Sequence, residues 1–248
     1  AVQVAGLQRQ SEPAASFLWS LLLPSLLLHG FVLLRLIGTP EGLNLNLFTS
    51  ASLVTWVMVC FLLFSSLRAA IHNLLLLVAP LAAISIVLEL TYDAAYQPIA
   101  SPAQPLIWHI LLSIVAYSIL FMAACQSVLL AVLEDRLRNK QTFTLVRLLP
   151  PLQTMESLLF SLLTAGVATL TLAIGTGFIF LEDVFAQRVV HHTVLSLASW
   201  LVFSALLIGH YLLGWRGPTA VRWTLIGFTL LLLGYFGSKF VIEILLGN

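Results

Sequence analysis

The sequence predicts an all-α, polytopic transmembrane helix bundle, and three observations carry that prediction. Hydrophobic residues fill 60% of the 248 positions and charged ones only 8%, too few polar side chains to cover a water-soluble globule of this size. Seven stretches are mostly apolar over about the 20 residues needed to cross about 30 Å of hydrocarbon at about 1.5 Å per residue. Nothing shows the short alternating segments of a membrane barrel, and lipid offers backbone amides no partner outside a helix. Residues 1–248 therefore read as a single integral-membrane domain.

The expected spans run from Phe17 to Ile37, Leu47 to Leu67, Leu74 to Leu90, Leu106 to Leu133, Ser157 to Phe180, Thr193 to Leu213 and Trp223 to Leu246. Ahead of the first, "AVQVAGLQRQ" reads as the tail of an apolar segment running into a polar turn. It suggests a further helix, and eight spans in all; a cleaved signal peptide is the competing reading. After the fourth span, the charges and double proline of "EDRLRNKQTFTLVRLLPP" mark a cytoplasmic, amphipathic linker over 134–156. "GWRGPTAVRW" is a short turn in which Gly214, Gly217 and Pro218 break the helix, while Trp215 and Arg216 suit the headgroup layer. In the fifth span Ser157, Ser161, Thr164, Ala168, Thr171 and Gly175 recur at helical spacing, as do Gly227, Gly234 and Ser238 in the last. Such rows let another helix backbone approach closely.

Basic residues in short loops set the orientation. Arg9, Arg68, the group Arg136, Arg138, Lys140 and Arg147, and the pair Arg216 and Arg222 fall on one side; the opposite loops hold only Arg188, beside Glu41, Asp93, Glu182 and Asp183. Arg9 is thus expected in the cytoplasm and the carboxyl terminus outside.

A net charge of +1 with scattered basic residues excludes a nucleic-acid surface. Cys60 and Cys125 lie in apolar runs, form neither CxxC nor CxxCH, and read as packing residues. No phosphate loop, HExxH, GxSxG or carboxylate cluster is present. No catalytic role is expected.

Chemistry falls to the six histidines. His29 lies in the outer half of the first span and His109 near the outer end of the fourth, and an imidazole in lipid must turn to a partner, a cavity or a metal. Ser113 and Tyr117 follow His109 at i+4 and i+8, so three polar groups share nearly one helix face. Anchoring beside Trp108 at the headgroups is the plainer account of His109. His191 and His192 open the sixth span on the outer side, as loop-end residues or as members of a site there; His72 and His210 lie on the cytoplasmic side. Two neutral imidazoles on different helices suit haem iron, or one transition metal with further donors. Haem fits better, because the outer half supplies no cysteine or carboxylate beside His29. Arg35 and Lys239 are placed to meet its propionates; pairing of Lys239 with Glu243 and of Arg35 with Glu89 is the alternative.

The same residues carry a resemblance. "LLLHGFVLLRLIGTPEGLNLNLFTSASLVTW" resembles the histidine-bearing segment, loop and following helix of cytochrome c assembly proteins of the CcsA/CcmC type. "WHILLSIVAYSILF" resembles the helix with their first extracytoplasmic haem ligand, and "VLSLASWLVFSALL" followed by "GWRGPTAVRWTLIGFTLLLLGYFG" their last helices. By that resemblance His29 corresponds to an intramembrane histidine and His109 to the outer-face ligand. Departures are equally visible. "FLEDVFAQRVVHHTV" stands where those proteins carry a tryptophan-rich motif and an Asp-Pro-Lys-Glu run. No outer histidine follows the last span. Their second intramembrane histidine aligns with Ile208, not His210. These losses resemble the HemX or YpjD-like branch, haem-handling proteins without the transfer platform.

The expectation is a bacterial inner-membrane protein that binds haem b non-covalently, with His29 and His109 as metal ligands and Arg35, Lys239 and Tyr117 around the cofactor. It would support cytochrome c maturation or haem transport, alongside proteins of those or of tetrapyrrole pathways. The rival from another class is a cofactor-free scaffold or accessory subunit of another membrane protein.

Overall fold

The computed structural model describes residues 2–66, 72–92, 98–100, 102–139, 149–180 and 190–245, with side chains from residue 20 onward except at 66, 72 and 180. Along them run α1 (Val2–Ile37), α2 (Leu47–Ser66), α3 (Leu75–Thr91), α4 (Gln104–Arg138), α5 (Leu152–Phe180), α6 (Val190–Leu213) and α7 (Gly217–Leu232). Beyond Leu232, α7 continues through two π-helical turns, Leu233–Gly237 and Phe240–Leu245. Six of these helices are long and apolar enough to cross a membrane. The chain is a multi-pass helical membrane protein.

Where seven spans were expected, α3 is shorter: its 17 residues reach about 26 Å, the lower limit for spanning. Other helices outrun their apolar stretches. α1 extends back to Val2, α4 reaches Arg138 and α5 begins at Leu152, so both flanks of the expected 134–156 linker are helical. Several residues that set the expected orientation, Arg68, Asp93, Lys140, Arg147, Glu182, Asp183 and Arg188, lie outside the described residues, as do the side chains of Arg9 and His72.

α4 is the central helix because it is buried all the way round from Ala116 to Leu120 and again from Met122 to Ser127. Its Ala116, Ser118, Ala123, Ala124 and Ser127 are small enough to let neighbours close in. α4 packs against α5, α7, α2 and, more lightly, α3; α5 meets α6, and α6 meets α7. α1 packs on α2, whose Trp56 donates to the Leu26 carbonyl at 2.9 Å and lies against Gly30. α2 thus joins an α1–α3 group to an α4–α7 bundle.

The expected row on α7 does meet a neighbour. Gly227 is buried against Phe203 of α6, and its carbonyl accepts from Ser199 Oγ at 2.8 Å. A Cβ on Gly234 would stand 3.2 Å from that of Leu195. The row expected on α5 meets its neighbour only through long side chains: Ser157, Ser161, Thr164, Ala168 and Thr171 are exposed, while Trp200 Nε1 of α6 donates to Thr171 Oγ1 at 2.8 Å and Tyr211 Oη lies 3.4 Å from Thr164 Oγ1. The close approach is on its other side, where a Cβ on Gly166 would stand 2.5 Å from Leu120 Cδ2. Large apolar residues decide the matter, since Met155, Leu159, Leu163 and Leu170 bury more surface against α4 than a polar row can.

One end of the bundle is roofed. After α1, β1 (Gly38–Thr39) and β2 (Gly42–Leu43) form a two-residue antiparallel ribbon, and Leu43 exchanges both backbone hydrogen bonds with Ile99 from the α3–α4 connection. Gly42 adopts φ +139°, where a side chain would be strained and would collide with the Ile99 backbone. Two connections are thereby tied together over the ends of α2 and α4.

Candidate functional site

Beneath that roof lies a cavity of about 560 Å³, within the range of about 300–1,000 Å³ that holds small organic ligands. It is bounded by the starts of α2, α4 and α6 and the ends of α5 and α7, with Leu45 and Ile99 at the roof. Its wall is mostly aliphatic, interrupted by His109, Ser113 and Tyr117 of α4, His192 and Ser196 of α6, Tyr235 and Lys239 of α7, and Ser50 of α2. A few convergent polar groups in an apolar hollow are what fix a ligand's orientation.

His109 reaches this position because Pro105 starts α4 four residues earlier and Gly177 lets its ring lie against α5. A Cβ at Gly177 would stand 3.1 Å from His109 Cε1. His109 Nδ1 lies 2.9 Å from the Ala173 carbonyl and 3.3 Å from Thr176 Oγ1. A carbonyl only accepts, so Nδ1 carries the proton and Nε2 keeps its lone pair. That is the tautomer of a metal-ligating histidine, whose other nitrogen donates to a carbonyl or carboxylate. Trp108, its neighbour, is exposed and does not line the cavity.

The remaining groups are held in place. Tyr117 donates to the Leu231 carbonyl at 2.5 Å and packs at a tilt on Tyr235 and edgewise on Phe236. That carbonyl lies just before the first π turn of α7, whose wider bonding pattern carries Tyr235 to the cavity wall; such turns recur at functional sites. Tyr235 Oη meets Ser50 Oγ at 2.9 Å. Lys239 donates to the Leu45 carbonyl and pairs with Glu243 Oε1 at 3.0 Å, while Glu243 Oε2 accepts from Leu47 N–H at 2.7 Å. The pair latches the segment before α2 onto α7.

His29 is placed elsewhere. Buried between α1 and α2, its Nε2 lies 2.8 Å from Ser52 Oγ, and it does not line the cavity. Ser52 stands on a different face of α2 from Ser50, Leu53 and Val54, which do. The structure therefore does not bring His29 and His109 together, because α2 stands between them. Arg35 is exposed over the Phe31 ring at 5.3 Å and is likewise away from the cavity. Among the described residues no ion pair joins it to Glu89, whose Oε1 is buried without a hydrogen-bond partner. Lys239 and Tyr117 line the cavity, Lys239 in the pairing with Glu243 that was the alternative.

What the sequence reading left undecided was the histidine doublet. His191 is exposed, whereas His192 lines the cavity. The signal was available: Ser196, Ser199, Phe203 and Leu206 follow at the spacing of one helix face, and all are buried. His210, on the far side, stacks on Phe160 and meets the Trp215 carbonyl from Nδ1 at 2.9 Å. Cys60 and Cys125 are free thiols, Cys125 buried in the core.

Comparison with known proteins agrees with this architecture. The chain is 31% identical over 205 residues to "Inner membrane protein YpjD" of Escherichia coli (strain K12), covering 83% of this chain and 78% of that protein. It is 34% identical over 210 residues to a 28.8 kDa protein encoded in a nifR3-like 5′ region of Azospirillum brasilense, covering 80% and 77%. No solved structure matches it significantly. The family model described as "Cytochrome C assembly protein" matches residues 19–246, from the start of the first apolar segment to the end of α7. The chain belongs to the cytochrome c assembly protein family.

Proposed function

We propose that this protein is a bacterial inner-membrane haem-handling protein that binds haem b non-covalently in the roofed cavity, supporting cytochrome c maturation or haem transport. The observation that carries this reading is His109: a buried-facing imidazole whose Nδ1 proton is given to the Ala173 carbonyl, leaving Nε2 as a ligand at the wall of an apolar cavity. A haem supplies four iron donors of its own and asks the protein for axial nitrogen and an apolar slot. A bare metal ion asks for more, and among the described residues no three His, Cys, Asp or Glu side chains gather to provide it. Lys239 and Tyr235 are the polar groups of the cavity's α7 wall suited to a carboxylate-bearing cofactor. The inner-membrane location is supported by the name of the Escherichia coli relative, and a role in cytochrome c maturation by the family description. No residue is assigned a catalytic role.

The test is a haem titration of the detergent-purified chain. One equivalent of haem b per chain should bind, giving a Soret band shifted from that of free haem. A folded protein that leaves the haem spectrum unchanged at micromolar concentrations would overturn the reading in favour of a cofactor-free scaffold.

A further inference from the structure

We propose that His192 is the second axial ligand, so that a haem in this cavity is held between an imidazole of α4 and an imidazole of α6. The inference rests on the haem-binding reading and adds to it the ligand set.

Five observations point the same way. His192 lines the same cavity as His109. They stand on different helices, α4 and α6, both at the roofed end, which is how two axial ligands come to face a planar macrocycle from opposite sides. The His192 ring is steadied edgewise against Tyr235, with centroids 5.8 Å apart at 77°. Gly234 brings α7 close behind it: a Cβ there would stand 3.5 Å from the His192 carbonyl. Helix phase selects His192 over its neighbour, since His191 is exposed while Ser196, one turn on from His192, is buried at the cavity wall. His29 is excluded by position, its Nε2 engaged with Ser52 away from the cavity.

Low-spin iron is the expected consequence, because two imidazole nitrogens make a strong axial field. The experiment loads the full chain with ferric haem b in detergent and records its absorption and electron paramagnetic resonance spectra. Wild type should be six-coordinate and low-spin. His192→Gln and His192→Ala should keep one haem per chain but turn high-spin, and added imidazole should restore the low-spin signal; His29→Gln should match wild type. A high-spin wild type, or a His192→Gln spectrum still low-spin, would overturn the assignment of His192 while leaving haem binding intact. A wild type that takes up no haem would overturn both readings together. The wild-type spin state needs no variant, so a folding defect in either substitution leaves the proposal exposed to refutation.

Discussion

Replacing His109 by alanine is expected to lower affinity for haem by more than about 100-fold, beyond the roughly 10–100-fold that loss of a supporting partner costs a metal site. The reason is geometric. His109 supplies a lone pair, and its ring is fixed from behind by the Ala173 carbonyl and by Gly177, which leaves no room for the ring to turn away. Alanine removes the donor and opens space that no neighbouring nitrogen on α4 fills. His29→Ala provides the contrast: that ring is bonded to Ser52 beyond α2, so the affinity should stay within about twofold of wild type, a difference of about 0.4 kcal/mol. Titration of the Soret band in both variants checks the pair of outcomes, and an equal loss in both would return His29 to the site.

Glu243→Ala should destabilise the protein by about 3–5 kcal/mol, the cost of stripping one partner from a buried ion pair. The Glu243 side chain is 3% exposed and that of Lys239 16%, so water screens the pair poorly. Two bonds are lost at once, because Glu243 also accepts from Leu47 N–H at the start of α2. The double variant Lys239→Met/Glu243→Leu should be closer to wild type than Glu243→Ala, since it removes both charges and leaves none buried alone. Thermal unfolding in detergent measures this order; a single variant as stable as the double would show that the latch is not a buried charge pair. Loosening this latch should also weaken haem retention, as it ties the roof segment to α7.

Much of the fold was legible because lipid imposes one rule on the backbone and composition reveals where it applies. The face of α4 carrying His109, Ser113 and Tyr117 followed from i+4 spacing alone, and all three line the cavity. What spacing does not give is the neighbour a face will meet. His29 was legible as a buried polar group needing a partner, but that partner is Ser52, which looks in the sequence like any small residue of an apolar helix. The polar row of α5 misled for the same reason. In lipid an exposed Ser or Thr is tolerated by bonding back to its own helix, as Ser161 does to the Ser157 carbonyl and Thr171 to that of Val167. The row therefore needs no neighbouring backbone, and what it meets on α6 are the side chains of Trp200 and Tyr211. The π turns of α7 left no mark in the sequence, yet they lie where Tyr235 reaches the cavity and where Glu243 meets Lys239 and Leu47. His192 was within reach of helix-phase reasoning, but only by reading it against Ser196, Ser199 and Phe203 rather than as half of a doublet.

The most direct measurement is the position of iron in crystals of the haem-loaded protein, located by anomalous scattering at the iron edge. A single peak is expected inside the roofed cavity, about 2 Å from His109 Nε2, the usual length of an imidazole–metal bond. A peak beside His29 and Ser52, or at the protein surface with the cavity filled only by side chains, would contradict that expectation.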